Sequence, residues 1–385
     1  MAGETGKRSE LTEEQLCQAL QETAVTQLAG AEEVWVALDT SDLRKPHAEE
    51  MEALMEVRDL KGRLVPGYRV LNALAITPGA RGLLYHRLFS SHEEGFKSEP
   101  YEYRQAVTSV GTALAQEEQA PQVTWLLDRA FDDQALWGVV WAQEQHLVCR
   151  LKQLDRVIQA PDRAGRWRKT KVKRYGFRLP EVARVETEMR VRLDHQRQAK
   201  KQKVTVLLYA GPMKVNYLVG REQDQEPQTK QVWLMRAQII GTSNRLWLMT
   251  DHPVASAEEA QRVFQMYRMR WAVEDAFKFI KQSLGWEEVQ VLSLHGVRFL
   301  VAMAAVAAGF LFSWGVTLEW QAVQLLARAG GWIPKKGAKP GKIVLTRGLR
   351  RLLDFLAMRS LLQQHLDEHG QIPDQIAAFL PEDFW

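Results

Sequence analysis

The sequence predicts an α/β fold carrying a β-rich insertion and a helical C-terminal part. Three observations predict it. Two short apolar runs, VWVALD (Val34 to Asp39) and QVTWLLD (Gln122 to Asp128), read as buried strands that each stop on an aspartate. Stretches of helical composition alternate with such strands as far as about residue 152, the pattern of an α/β sheet. Between residues 153 and 245 the chain turns basic and strand-like, and beyond it reads as helix.

A charged helix is expected from Thr12 to Leu28, ahead of the first strand. Tyr68 to Ile76 and Gly82 to Phe89 follow as strands, split by the turn-forming Thr77, Pro78 and Gly79, and should form a meander. Tyr101 to Glu118 is helical in composition and leads into the second Asp-terminated strand. A helix near Asp132 to Glu144 and a strand near His146 to Leu151 close this part. KVTVLLYA (Lys203 to Ala210) and VWLMRAQII (Val232 to Ile240) are the clearest strands of the insertion, and Leu246 to Thr250 returns to the main sheet. Ser256 is a good N-cap, with Glu258 and Glu259 in the first turn, so one long helix should run to about Leu284 and end at Gly285. The helices after it are interrupted by a Gly, Pro and Lys-rich loop, Gly330 to Lys342. The expected division is an N-terminal helical segment (1–33), a core (34–152 and 246–325), a basic insertion (153–245) and a helical C-terminal region (326–385).

With 385 residues, 46% of them hydrophobic, the chain can bury a large core. Only Cys17 and Cys149 are present, which excludes a disulfide framework and fits a reducing, cytoplasmic setting. No secretory leader is expected in the polar opening MAGETGKRSE. The uncharged run Phe299 to Leu318 is long enough to span a bilayer, but it is Ala-rich and stands alone between Arg298 and Glu319. A core helix covered on all sides is the expectation, with no membrane partner. The net charge of +4 hides an asymmetry: Arg150 to Lys203 holds eighteen Lys or Arg against six Asp or Glu, a net +12, and the remainder carries −8. Charge concentrated in this way points to a phosphate-rich partner. GAKPGK (Gly337 to Lys342) is one residue short of a P-loop and lacks its Ser or Thr, and His365 with His369 lacks a third zinc ligand.

The long helix carries YRMRWAVEDAFKFIK, which places Tyr267, Arg270, Glu274 and Lys281 at offsets of three, four and seven. Within one helix these side chains form a polar stripe beside an apolar face of Val273, Ala276, Phe277 and Ile280. A carboxylate between cations can bind a metal while the cations take phosphate oxygens, although a solvated helix face accounts for any one of these residues alone. Together, Tyr-x2-Arg-x3-Glu-x6-Lys resembles the signature of a large branch of bacterial insertion-sequence DDE transposases. The resemblance implies an RNase H-like mixed sheet flanked by helices, with the β-rich insertion before the last catalytic helix.

It implies that Asp39, Asp128 and Glu274 are catalytic and hold two Mg²⁺ ions, with Mn²⁺ as a substitute. Two-metal phosphoryl chemistry needs carboxylates that can bridge and flank such a pair. Tyr267, Arg270 and Lys281 match the residues that hold DNA-end phosphates. The implied activity is DNA strand cleavage and strand transfer on double-stranded transposon ends and target, by a homodimer when DNA is bound. Arg166, Trp167, Arg168, Lys171 and Lys173 mix cations with an aromatic ring, which suits backbone contact and base stacking; a solvated basic hairpin is the alternative. Asp42 is expected in a loop or cap, Asp132 and Asp133 at a helix start, and Asp275 off the stripe. Trp247 lies one position from where some relatives carry a base-stacking Trp. Only 38 residues precede Asp39, where relatives carry a DNA-binding module, which leaves open a truncated or domesticated relative that binds DNA without transposing.

Overall fold

In the computed structural model, the described residues are 11–48, 50–59, 61–220, 224–286, 291–333, 340–373 and 376. They fall into two compact units, 1–313 and 314–385. The first holds the sheet.

Thr12 caps α1 (Glu13–Leu28) through a reciprocal pair with Gln15, and Leu16, Leu20, Ala24 and Leu28 form its buried face. β1 (Glu33–Arg44), β2 (Met55–Arg58), β3 (Leu64–Ile76) and β4 (Arg81–Phe89) follow. β3 runs antiparallel to both β1 and β4, so the expected meander is present. α2 (Glu99–Ala115) carries the chain to β5 (Gln122–Leu127), and α3 (Gln134–Ala142) carries it to β6 (His146–Arg150). Each crossover helix allows a parallel pairing, β1 with β5 and β5 with β6. Asp133 is the N-cap of α3; Asp132, expected beside it in the helix start, has another task described below.

The stretch 153–245 contains β7 (Val157–Pro161), β8 (Trp167–Lys171), α4 (Val172–Gly176), β9 (Glu181–Val191), β10 (Lys200–Val219) and β11 (Glu226–Ile239). Its strands do not form a separate sheet. β12 (Arg245–Thr250) pairs with both β6 and β11, and among the described residues one twelve-stranded sheet runs β2-β3-β1-β5-β6-β12-β11-β10-β7-β8, with β4 on β3 and β9 on β10. The reason lies in β10, which changes its buried face. Val204, Val206, Leu208 and Ala210 alternate inward on one side, and after Gly211 and Pro212 the inward set becomes Met213 and Val215. A strand with two apolar faces in succession can pack on α3 at one end and on α5 (Ala257–Met269) at the other.

α5 (Ala257–Met269) starts with a Ser256–Glu259 capping box. The single long helix expected here is two: α6 (Trp271–Ser283) begins after a tight turn at Arg270, where the bonds Arg270 N–H to Tyr267 O and Val273 N–H to Arg270 O replace the α-helical spacing. Gly285, at φ +66°, ends α6 as expected. α7 (Leu294–Thr317) is long and apolar enough to cross a membrane. It is not covered on all sides: Val297, Val301, Ala305 and Ala308 are buried, whereas Leu300, Met303 and Phe310 are exposed. In the second unit α8 (Trp320–Ala329) meets α9 (Lys342–His369), where Gly348 lets the helices approach so closely that a Cβ would lie 1.8 Å from Leu326 O. Most of the loop expected between them, 334–339, lies outside the described residues.

Trp247 is a core residue. It is 7% exposed, and it meets the Phe177 ring edge-on at 5.5 Å. The edge of its ring closes on Gly176, where a Cβ would stand 2.1 Å from the indole Cζ3. Stacking on a DNA base would require it to leave this packing. Gly176→Ala should therefore destabilise the chain by about 1–3 kcal/mol, read as a lower urea midpoint with an unchanged m-value.

Candidate active site

The end of β5 sets the site. Its pairing with β1 stops at Leu38 opposite Leu127, so Asp39 and Asp128 are the next residue on two adjacent strands and face the same side of the sheet. β1 itself continues to Arg44 on β3, so Asp39 lies within a strand rather than at its end. α5 and α6 pack over this side with their turn directly above. Tyr267, buried at the end of α5, donates its hydroxyl to Asp128 Oδ1 at 3.3 Å. Arg270, at the turn, places Nη1 3.5 Å from Asp39 Oδ2 and Nη2 2.5 Å from Glu274 Oε1. One guanidinium thus links the carboxylate on β1 to the one on α6.

The electrostatics follow from burial. Removal from water is the largest influence on Asp39 and pushes its carboxyl up to about 6, helped by the charges of Glu274 and Asp128 and opposed by Arg270 and the Thr40 N–H. Burial also raises the Tyr267 phenol, with Asp128 adding to it. Burial disfavours the charge of Arg270, but Tyr267, Asp128, Asp39 and Glu274 together outweigh this and hold it above its ordinary value. The Asp39 carboxyl stays raised although Arg270 is beside it, and three carboxylates offer hard oxygen donors, the donor chemistry that a hard divalent cation takes. Among the described residues no three acid, His or Cys side chains stand at metal-ligand spacing, and the Glu274 carboxylate is turned onto Arg270.

Other residues join the site, and of these Arg150, Arg69 and Glu99 had not been given a role from the sequence. Arg150, the last residue of β6, reaches Asp128 Oδ1 at 3.4 Å; its signal was its place at the end of the next parallel strand. Asp42, expected in a loop, is on β1, where its carboxylate takes Arg69 Nε at 3.2 Å and the Arg58 N–H at 3.1 Å. Arg69 also pairs with Glu99, and Lys281 Nζ donates to the Asp42 carbonyl at 2.8 Å. Asp275 is exposed.

A model of the transposase DDE domain family matches residues 105–310, more than half of the chain. The chain belongs to that family. The match takes in Asp128, Tyr267, Arg270, Glu274 and Lys281; it begins after Asp39, whose place in this DDE domain rests on strand register. Among solved structures, the transposase domain is similar to a piggyBac transposase, seen by cryo-electron microscopy as a synaptic complex with hairpin DNA. The identity is 12% and the TM-score 0.41, over 92% of this chain and 58% of the other, so the transposase domain spans less than two thirds of that protein. No curated protein matches it in sequence.

The basic residues of the insertion lie elsewhere in this DDE domain. Arg166, Trp167, Arg168 and Lys171 belong to the β7–β8 hairpin, whose strands are the sixth and seventh from β1 along the sheet path, and Lys173 to α4. Asp162 faces Arg166 and Arg168, and Asp155 faces Lys171, so three of the four cations have an acidic neighbour although all remain exposed. The Trp167 ring lies under Lys214 Nζ at 4.6 Å.

Proposed function

We propose that this chain is the catalytic core of a DNA transposase that cleaves and joins DNA strands, built on an RNase H-like sheet. The observation that carries the reading is the way the three carboxylates share their partners: Arg270 links Asp39 to Glu274 while Tyr267 and Arg150 hold Asp128. Support for the fold assignment comes from the strand arrangement, with β1, β3 and β4 antiparallel in succession and β5 and β6 parallel to β1.

In this reading Asp39, Asp128 and Glu274 would hold two Mg²⁺ ions, or Mn²⁺ in their place. When bound, such a pair activates an attacking oxygen and stabilises the leaving one at a phosphodiester. The protein's own groups orient the DNA. Arg270 has a buried Nε–H without a hydrogen-bond partner among the described residues, an orphan that a phosphate oxygen would satisfy. Tyr267, fixed by its burial, and Lys281, seven residues beyond Arg270's partner Glu274, define a line along which backbone phosphates can lie. The substrates are double-stranded DNA ends and a target duplex, and joining two ends at once calls for a homodimer on DNA.

The test is direct. Purified protein incubated with linear DNA carrying the sequences that flank its gene should produce nicks at discrete positions with Mg²⁺ or Mn²⁺, and none with a chelator. A folded protein that cuts no strand with either metal would overturn the reading. The basic hairpin is tested separately. Changing Arg166, Arg168, Lys171 and Lys173 to Glu should flatten the slope of log affinity against log salt by roughly 3 to 4, about 0.9 for each phosphate no longer neutralised. A slope unaltered in a folded variant would make the hairpin a solvated surface.

A further inference from the structure

Beyond the carboxylates the crevice continues. β1 runs six residues past its last pairing with β5, from Asp39 to Arg44, and among the described strands this stretch pairs with β3, while Lys281 Nζ donates to its Asp42 carbonyl. Along that stretch lies a cavity of about 1000 Å³ that starts at Asp39 and Glu274 and extends to Arg44, Arg58 and Lys278. The volume is at the upper end of the roughly 300–1,000 Å³ usual for small-molecule sites. Its walls differ from such a site in carrying many charged side chains beside apolar ones such as Phe277.

We infer that this arm of the crevice binds unpaired DNA, the few nucleotides of one strand that continue past the phosphodiester held at the carboxylates; the inference rests on the DNA-processing reading. A strand positioned for cleavage must leave the site in two directions. In one direction stand Tyr267, Arg270 and Arg150. In the other, Lys278 is one helical turn beyond Glu274, and Arg58, at the end of β2, lines the same cavity. The carboxylates therefore lie between two cationic arms.

Arg58 is held for this role. Its backbone N–H is fixed to Asp42 Oδ2 at 3.1 Å, and its Nη1 donates to the Gly62 carbonyl at 3.1 Å, which leaves other donors of its fork for a ligand. Beyond Asp39 and Glu274, the acids in the same wall have cationic partners: Asp59 pairs with Arg63, and Asp42 and Glu99 share one arginine. Arg69 lies between Asp42 and Glu99, and Tyr103 donates to Glu99 Oε2 at 2.9 Å, so these carboxylates present less repulsion to a phosphate. The cavity is sized for a few nucleotides of single strand and not for a segment of duplex, so the ligand class is unpaired DNA backbone.

The test compares the binding of three random-sequence duplexes to the full chain in metal-free buffer: one blunt, one with a four-nucleotide 3′ overhang and one with a 5′ overhang. Wild type should prefer one overhang polarity to the blunt form by roughly tenfold. Arg58→Ala should erase that preference while leaving blunt-end affinity unchanged, and Arg58→Lys should retain most of it. Equal binding of all three duplexes by wild type, or an equal loss for blunt and overhung DNA in Arg58→Ala, would overturn the inference alone. A folded wild-type chain that binds none of the duplexes would overturn the DNA-processing reading with it.

Discussion

Glu274→Gln is expected to lower DNA cleavage on the order of 10³-fold or more while leaving the fold in place. The Glu274 side chain is half exposed, and its carboxylate meets Arg270 rather than the core, so the substitution should alter stability by no more than about 0.5 kcal/mol. Asp39→Asn should remove cleavage as completely, but with a gain in stability at neutral pH. The Asp39 carboxyl rises from 3.8 to about 6 in the fold because burial, with Glu274 and Asp128 nearby, disfavours its charge. A carboxyl raised in this way supports the folded state when protonated, and that support is lost as pH rises from about 4 through about 6. In metal-free buffer at pH 7, Asp39→Asn should therefore melt higher than wild type, and the gap should close as pH falls toward 4. An active site kept at a cost in stability has this signature. Full cleavage by Glu274→Gln would remove it from the catalytic set, and an Asp39→Asn variant less stable than wild type at pH 7 would show that the carboxylate is held by its contacts.

The sequence made the site more legible than its surroundings, for a physical reason. A buried strand that stops on an acid, and a helix whose polar residues recur at three, four and seven, are local patterns, so Asp39, Asp128, Tyr267, Arg270 and Glu274 could be proposed from spacing together with a family resemblance. The turn at Arg270 could not. Its backbone stays helical at φ −51° and ψ −35°, and nothing in MYRMRWAV lowers helix propensity enough to mark a division. Arg270 is buried with its guanidinium between two carboxylates, a tertiary arrangement that no local signal carries. The insertion is hard to place for a related reason. Basic composition and long strands set 153–245 apart, but whether strands start a new sheet or extend an existing one depends on edge pairing, and β12 with β11 provides that edge. Trp247 shows the same limit, since one apolar ring on a strand reads alike as a stacking surface or as core, and the Gly176 that admits it is seventy-one residues away.

Asp132→Ala is expected to destabilise the first unit by about 3–5 kcal/mol, the largest effect on stability from one substitution outside the catalytic set. The carboxylate is 1% exposed and is saturated with donors. Oδ2 accepts the backbone N–H groups of Lys152 and Gln153 at 2.7 and 2.8 Å, and Oδ1 takes Arg156 Nη1 at 2.6 Å. Arg156 is itself 9% exposed and lies 4.6 Å over the Trp137 ring. Removing the acid would take the acceptor from Arg156 Nη1 and from two partly buried backbone amides, leaving the guanidinium only the Asp132 carbonyl at 3.5 Å, which costs more than the pair contributes while intact. Asp132→Asn should fall between wild type and Ala, because one amide oxygen can serve the loop or the arginine but not both. Arg156→Met should cost less than Asp132→Ala, since it keeps the bonds to Lys152 and Gln153. The clamp ties the turn after Asp128 to the connection that follows Arg150, so Asp132→Ala should also weaken DNA cleavage under conditions where the chain is still folded. Urea midpoints for the three variants check the order, and a midpoint for Asp132→Ala equal to wild type would mean that water reaches these groups and the clamp is not dry.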